Sequence, residues 1–137
     1  MKNLNVYLFF PGNCQEAINF YKQSLGGEIA FMGTYGESPE PCADADKNKI
    51  MHTSLKADGI TIMASDCPTD QPVVNGNNIS LSLNFSDEKE QETIFTNLSS
   101  GGNVTMPLQD TFWGAKFGML TDKFGINWMV NCEKAKK

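Results

Sequence analysis

Apolar and polar positions along this chain follow two alternating periods, and the same order is run through twice. Leu4 to Phe10 is a continuous apolar run and predicts a buried strand. Pro11-Gly12-Asn13 breaks it and offers Asn13 as a helix cap. Ala17, Phe20, Tyr21 and Leu25 then recur at helical spacing, and Gly26-Gly27 closes that helix. Glu28 to Tyr35 returns to strand character. Gly36 to Asn48, with two prolines and mixed charge, reads as a long loop, a length more often functional or mobile than structural. Lys49 to Ala57 and Ile60 to Ser65 form two further strands around the turn Asp58-Gly59.

Asp66 to Asn77 is rich in Pro, Asp and Asn and reads as a link. Residues 1–66 are therefore expected to form a first module, 67–77 the linker and 78–137 a second module, within one compact domain. After the link the order recurs. Ile79 to Leu83 alternates as a strand, and Ser86-Asp87-Glu88-Lys89 opens a helix with acids at its positive end. Ile94, Phe95 and Leu98 give this helix its apolar face, and Gly101-Gly102 stops it. Asn103 to Leu108, Ala115 to Thr121 and Ile126 to Asn131 supply three strands, the last two joined by the turn Thr121 to Gly125, where Gly125 suits a positive φ. The two double-glycine stops stand 75 positions apart, and Phe20/Phe95 and Ile29/Val104 keep the same offset. The expected architecture is α+β, two βαβββ modules related by duplication.

Composition narrows the function classes. At 137 residues the chain can bury a sizeable core, and a charge of −5 argues against a general nucleic-acid or anionic-membrane partner. The Lys134 to Lys137 tail is basic but reads as a solvated end. No apolar run approaches a membrane span, and Met1-Lys2-Asn3 leads straight towards a strand, so a cytoplasmic protein without a leader is expected. Cys14, Cys42, Cys67 and Cys132 are widely spaced, which favours reduced thiols over disulfides or a zinc finger. Cys14 stands at a helix start, where the dipole can lower a thiol pKa, although an inert packed thiol is the plainer reading.

Tyr7-Leu8-Phe9-Phe10, Gly12-Asn13-Cys14, Phe20-Tyr21, Leu25-Gly26-Gly27, Met51-His52, Ile62 to Asp66, Phe112-Trp113-Gly114 and Thr121 to Gly125 with Trp128 occur in one ordered set. In that order they resemble the PhnB-like branch of the vicinal oxygen chelate superfamily, which holds glyoxalase I, bleomycin-resistance proteins and extradiol dioxygenases. The resemblance spans essentially the whole chain. It implies a pair of half-barrels and a homodimer. It also implies, in metal-dependent relatives, His and Glu ligands on the first and last strand of each module. Those positions fall near Val6 or Tyr7, near Asn78, and at about Met63 and Met129, none of them histidine or carboxylate. Thioethers suit soft copper(I) and not the usual divalent ions, so neither metal nor cofactor is expected. Members of this branch are often labelled as ubiquinone-pathway methyltransferases. The residues give that label little support, because the double glycines follow helices and do not form a strand-to-helix glycine-rich turn.

The candidate site follows from these strands. His52, the one histidine, is a weak catalytic candidate that can orient a ligand or take a proton, and Ser54 shares its face; a structural hydrogen-bonding histidine is the plainer alternative. Tyr7, Phe112, Trp113 and Trp128 complete an expected ligand-binding set, with cavity filling or a dimer seam as the alternative for the aromatics. Met32, Met51, Met63, Met106 and Met129 all lie on predicted strands and can line an adaptable pocket or simply fill a core. Asp66 and Asp110 stand at strand ends, where capping is the default and general-base work the alternative. The leading expectation is a metal-independent small-molecule binding protein taking an apolar or aromatic ligand on a concave sheet. A metal-dependent lyase, isomerase or dioxygenase of the glyoxalase type is the rival, and a pure interaction module the third possibility.

Overall fold

The computed structural model describes residues 2–134; Ala135 to Lys137 of the basic tail lie outside the described residues. Among the described residues eight strands and two α-helices occur in the expected order, and the chain divides between Val74 and Asn75 into two units.

In the first unit, β1 (Val6–Phe10), α1 (Cys14–Leu25), β2 (Glu28–Thr34), β3 (Ile50–Ala57) and β4 (Ile60–Asp66) build a sheet of order β1-β4-β3-β2. The strand β1 runs parallel to β4, as a helical crossover requires, and the other pairs are antiparallel. Helix α1 packs on β3 and β4, burying Ala17, Ile18 and Tyr21 against Leu55, Ile62 and Ala64 on that side of the sheet. The long loop contains two single-turn 3-10 helices, Tyr35–Glu37 and Asp44–Asp46, the first closed by a reciprocal Thr34–Glu37 capping box.

The second unit repeats the plan: β5 (Leu81–Phe85), α2 (Glu88–Ser99), β6 (Asn103–Asp110), β7 (Ala115–Thr121) and β8 (Asn127–Glu133), in the order β5-β8-β7-β6. Helix α2 is capped by Asp87, whose side chain accepts from Lys89 N–H, and it buries Ile94, Phe95 and Leu98.

The double glycines have one explanation in both units. The first of each pair, Gly26 or Gly101, ends the helix in the left-handed region (φ 75° and 74°). The second lets the chain press against the end of a neighbouring strand. A Cβ on Gly27 would stand 2.5 Å from the Lys56 carbonyl oxygen, and one on Gly102 would strike the Thr121 carbonyl.

Three expectations need correcting. Asn13 makes no side-chain cap, and its buried Oδ1 has no partner. The cap comes instead from Asp66, the last residue of β4, which accepts from Gly12 N–H at 3.0 Å and Cys14 N–H at 2.8 Å through Oδ1, and from Ile50 N–H at 2.9 Å through Oδ2. A carboxylate with two oxygens reaches three donors, which one short amide oxygen does not. The strand β5 begins at Leu81, two residues later than Ile79, so Asn78 precedes it. The strands β6 and β8 run on to Asp110 and Glu133.

Candidate functional site

Each four-stranded sheet has one face under its own helix and one that its helix leaves open. On the open face of the first unit, cross-strand pairing sets Tyr7, Met63, Ser54 and Phe31 in one row across all four strands. Phe9 follows Tyr7 two positions on, and His52 precedes Ser54 by two, so both share this face. The Tyr7 hydroxyl and His52 Nδ1 lie 3.2 Å apart. Tyr7 packs on Phe9 with ring centroids at 5.1 Å and on His52 at 5.7 Å, and Phe31 lies 5.9 Å from His52 on its other side. Tyr7, Phe9 and Phe31 are 38%, 55% and 52% exposed. A strip of aromatic surface is thus held open to water, with one hydroxyl–imidazole pair at its centre. Tyr7, His52 and Ser54 come together here as a group. Phe9 and Phe31 are additions. Parity with Tyr7 was the available signal for Phe9, whereas Phe31 arrives through a register shift between Ile29 and Phe31 that composition does not reveal.

The open face of the second unit is chemically different. Its central row is Ser82, Met129, Met119 and Met106, flanked by the row Asn84, Asn131, Phe117 and Gln109. Trp113 stacks edge-on against Phe117 at 5.9 Å and against Phe112 at 5.2 Å, and Phe112 is 97% exposed. Met63, Met106 and Met129 therefore stand on open faces. Met32 and Met51 share the parity of Thr53, on the helix side.

Trp128 is not part of either strip. It is 1% exposed, shares its face with buried Val130 and Cys132, and donates Nε1–H to Asp122 Oδ2 at 2.8 Å. The other oxygen of Asp122 accepts from Phe124 and Ile126 N–H, so the indole anchors the β7–β8 turn, where Gly125 has φ 86° as expected. The signal was in the chain: Asn127, Met129 and Asn131 alternate with Trp128, Val130 and Cys132, and the polar set marks the open face.

The remaining candidates have structural surroundings. Asp66 is 2% exposed and occupied by its three backbone donors. Asp110 is exposed and ion-paired with Lys134 at 2.6 Å. Cys14 is buried, and its thiol is pushed up to about 12 by burial and by the nearby Asp66 carboxylate, which outweigh the helix dipole. Burial likewise raises Cys132. All four cysteines are free thiols.

The residues matched by the profile of the "Glyoxalase/Bleomycin resistance protein/Dioxygenase superfamily" are 3–130, nearly the whole chain. The chain belongs to this superfamily. Protein YjdN of Escherichia coli K12 is 35% identical, the match covering 96% of this chain and 95% of that one. Protein PA1353 from Pseudomonas aeruginosa is 45% identical with a TM-score of 0.86, covering 97% of this chain and all of its own (100%). A PhnB protein from Bacillus cereus, provisionally named as a 3-demethylubiquinone-9 3-methyltransferase, is 26% identical with a TM-score of 0.80, covering 96% and 99%. These similarities support the PhnB-like branch of the superfamily.

The superfamily fold implies a metal position on the first and last strand of each module. Pairing places those positions at Tyr7 with Met63 and at Ser82 with Met129, which moves the second-module position from Asn78 to Ser82. A phenol, a hydroxyl and two thioethers do not suit a divalent ion that takes imidazole or carboxylate. Among the described residues no three His, Cys, Asp or Glu side chains come together. The donor set does not fit such an ion.

Proposed function

We propose that this protein binds a small molecule with flat apolar surface on the open sheet faces, without a metal ion. The observation that carries the reading is the Tyr7–Phe9–Phe31–His52 strip. Three large aromatic side chains exposed side by side on one sheet face have a cost in water that a ligand relieves. The Tyr7 hydroxyl and His52 imidazole supply the few polar groups that orient a bound molecule. Taken by itself, the methionine row on the open face of the second unit is a polarizable surface that can adapt to a ligand's shape.

Methyl transfer is disfavoured. Each sheet is a four-stranded, mainly antiparallel one, and the double glycines end helices, whereas a doubly wound nucleotide fold places glycines between strand and helix. The glyoxalase-type lyase, isomerase or dioxygenase reading needs an ion, and the residues at the four inherited positions oppose it. The same proposal includes a homodimer, read out by sedimentation equilibrium. No helix among the described residues is long and apolar enough to cross a membrane, and a cytoplasmic location remains part of the proposal.

The test uses anilinonaphthalene sulfonate as the probe on protein stripped with EDTA. Binding is expected to persist after stripping and to shift the resonances of Tyr7, His52 and Ser54, and Phe31→Ala is expected to weaken it about tenfold, as the loss of one stacked ring predicts. Probe binding that disappears with EDTA and returns with a stoichiometric divalent ion would sink the proposal, as would binding that leaves the strip unperturbed.

A further inference from the structure

Backbone geometry does not explain one glycine of β2. Gly33 is the last residue but one of that strand, pairs with His52 and shares the open face with Phe31. Its φ lies outside the left-handed region, so the chain does not require a glycine at this point. It stands on the last strand of its sheet, on the face that the helix leaves open, and yet it is buried. What covers it is the Phe31 ring. A Cβ on Gly33 would lie 3.1 and 3.3 Å from two carbons of that ring. Among the described residues it would meet no other atom within 4 Å beyond its chain neighbours. The ring is thus laid back along its own strand over bare backbone, with its centroid 5.9 Å from His52 and its plane inclined 36° to the imidazole.

A second contact fixes the same residue from beneath. Register shifts flank the segment Phe31 to Gly33 on both sides, and the Phe31 carbonyl accepts from Thr53 Oγ1 at 2.7 Å. Thr53 is fully buried. A buried hydroxyl bound to a carbonyl beside a bulge holds the irregular backbone in one place. Thr53 therefore ties the Phe31 backbone, and Gly33 makes room for its ring.

We infer, resting on the reading of the strip as a ligand site, that Gly33 and Thr53 are positioning residues that set its specificity. They select a fused two-ring aromatic bearing a hydroxyl over a single-ring one. With the Phe31 ring laid down, apolar surface extends on one side of His52 as Tyr7 extends it on the other, at centroid distances of 5.9 and 5.7 Å. One ring of a ligand covers the imidazole and a second, fused to it, reaches the Phe31 face; a single ring covers only one of them. The Tyr7–His52 pair fixes the polar end. In either tautomer of the imidazole, the 3.2 Å contact leaves the pair one N–H or O–H to give and one lone pair to receive with. A ligand hydroxyl, which both donates and accepts, answers either arrangement.

The test is a titration of the isotope-labelled full chain with 2-naphthol and with phenol, probes that differ by one fused ring. The parent is expected to prefer 2-naphthol about tenfold. Gly33→Ala displaces the Phe31 ring by only a few tenths of an ångström and is expected to lower that preference about twofold. Gly33→Val, whose branched side chain suits a strand, is expected to bring the preference below about twofold. Thr53→Val should reduce it to about threefold, and Thr53→Ser, which keeps the hydroxyl, should restore it. Phenol affinity should change by less than about twofold throughout. In the free protein the His52 ring protons report the Phe31 ring: Gly33→Val should shift them as Phe31→Ala does, and should add nothing in a Phe31→Ala background. A preference unchanged in Gly33→Val, a Gly33 effect that survives removal of the Phe31 ring, failure of Thr53→Ser to restore the preference, or equal binding of both probes on the strip would overturn the inference and leave the strip as a ligand site. Binding of neither probe on the strip would overturn both.

Discussion

Replacing Asp66 probes the link between fold and site most directly. Its carboxylate ties the start of α1, through Gly12 and Cys14, to the first residue of β3, through Ile50, two positions before His52. It thereby joins the strand that carries Tyr7 to the strand that carries His52. Hydrogen bonds to a charged acceptor contribute about 1.5–3 kcal/mol each, and a buried donor left unmet costs about 1–3 kcal/mol. Asp66→Ala removes all three acceptors at a position 2% exposed. Because neighbouring losses are not additive and water can reach part of the gap, about 3–6 kcal/mol is expected, a large share of the 5–15 kcal/mol typical of a domain. Asp66→Asn retains one oxygen and sets its amide against an N–H, so about 1–3 kcal/mol is expected. Urea denaturation followed by tryptophan fluorescence measures both, with exposed Asp110→Ala as a control expected to shift stability by less than about 1 kcal/mol. If Asp66→Ala lies within about 1 kcal/mol of the parent, the three N–H groups have other partners and the clamp argument fails.

Further outcomes follow from single contacts. Trp128→Phe is expected to cost about 1–3 kcal/mol by leaving Asp122 Oδ2 without its indole donor, and to leave anilinonaphthalene sulfonate affinity unchanged; a loss of affinity at unchanged stability would return Trp128 to the ligand site. Gly26→Ala meets no atom within 4 Å and should cost only the left-handed strain of about 1–2 kcal/mol. Gly27→Ala must displace the Lys56 backbone and should cost more, so equal melting temperatures for the two would contradict the close-approach argument. Cys14, with its pKa raised from 9.0 to about 12, should resist a thiol reagent in the folded state at pH 8 while exposed Cys42 reacts. Its folded-state proton is held more tightly than the unfolded one. That contribution is therefore intact below about pH 9 and is lost as pH rises towards 12. Cys14→Ala should flatten this alkaline loss of stability, and an unchanged profile would contradict it.

Local signals made much of the candidate site legible and hid the rest for definite reasons. His52 and Ser54 share a face through strand parity alone, and Tyr7 belongs to an aromatic run at the start of a strand. Phe9 followed from the same parity but was masked because every residue from Val6 to Phe10 is apolar, so hydrophobicity does not mark which side is open. Phe31 reaches His52 only through an irregular register. Asp46 meets Thr69 more than twenty positions away, and nothing local announces that meeting.

By itself the chain determined the order of its elements and their duplication. Period, turn residues and glycine stops act over a few neighbours, and both modules repeat them at the same offset. Tertiary structure alone decided which residues do the joining. Asp66 became a clamp because the folded sheet brings its carboxylate to the Gly12 and Cys14 N–H groups, 54 and 52 residues distant, while the Asn13 side-chain oxygen is left without a partner. Phe31 became a surface ring for the same reason: long-range pairing through an irregular register, not residue type, chose the face on which its side chain ends.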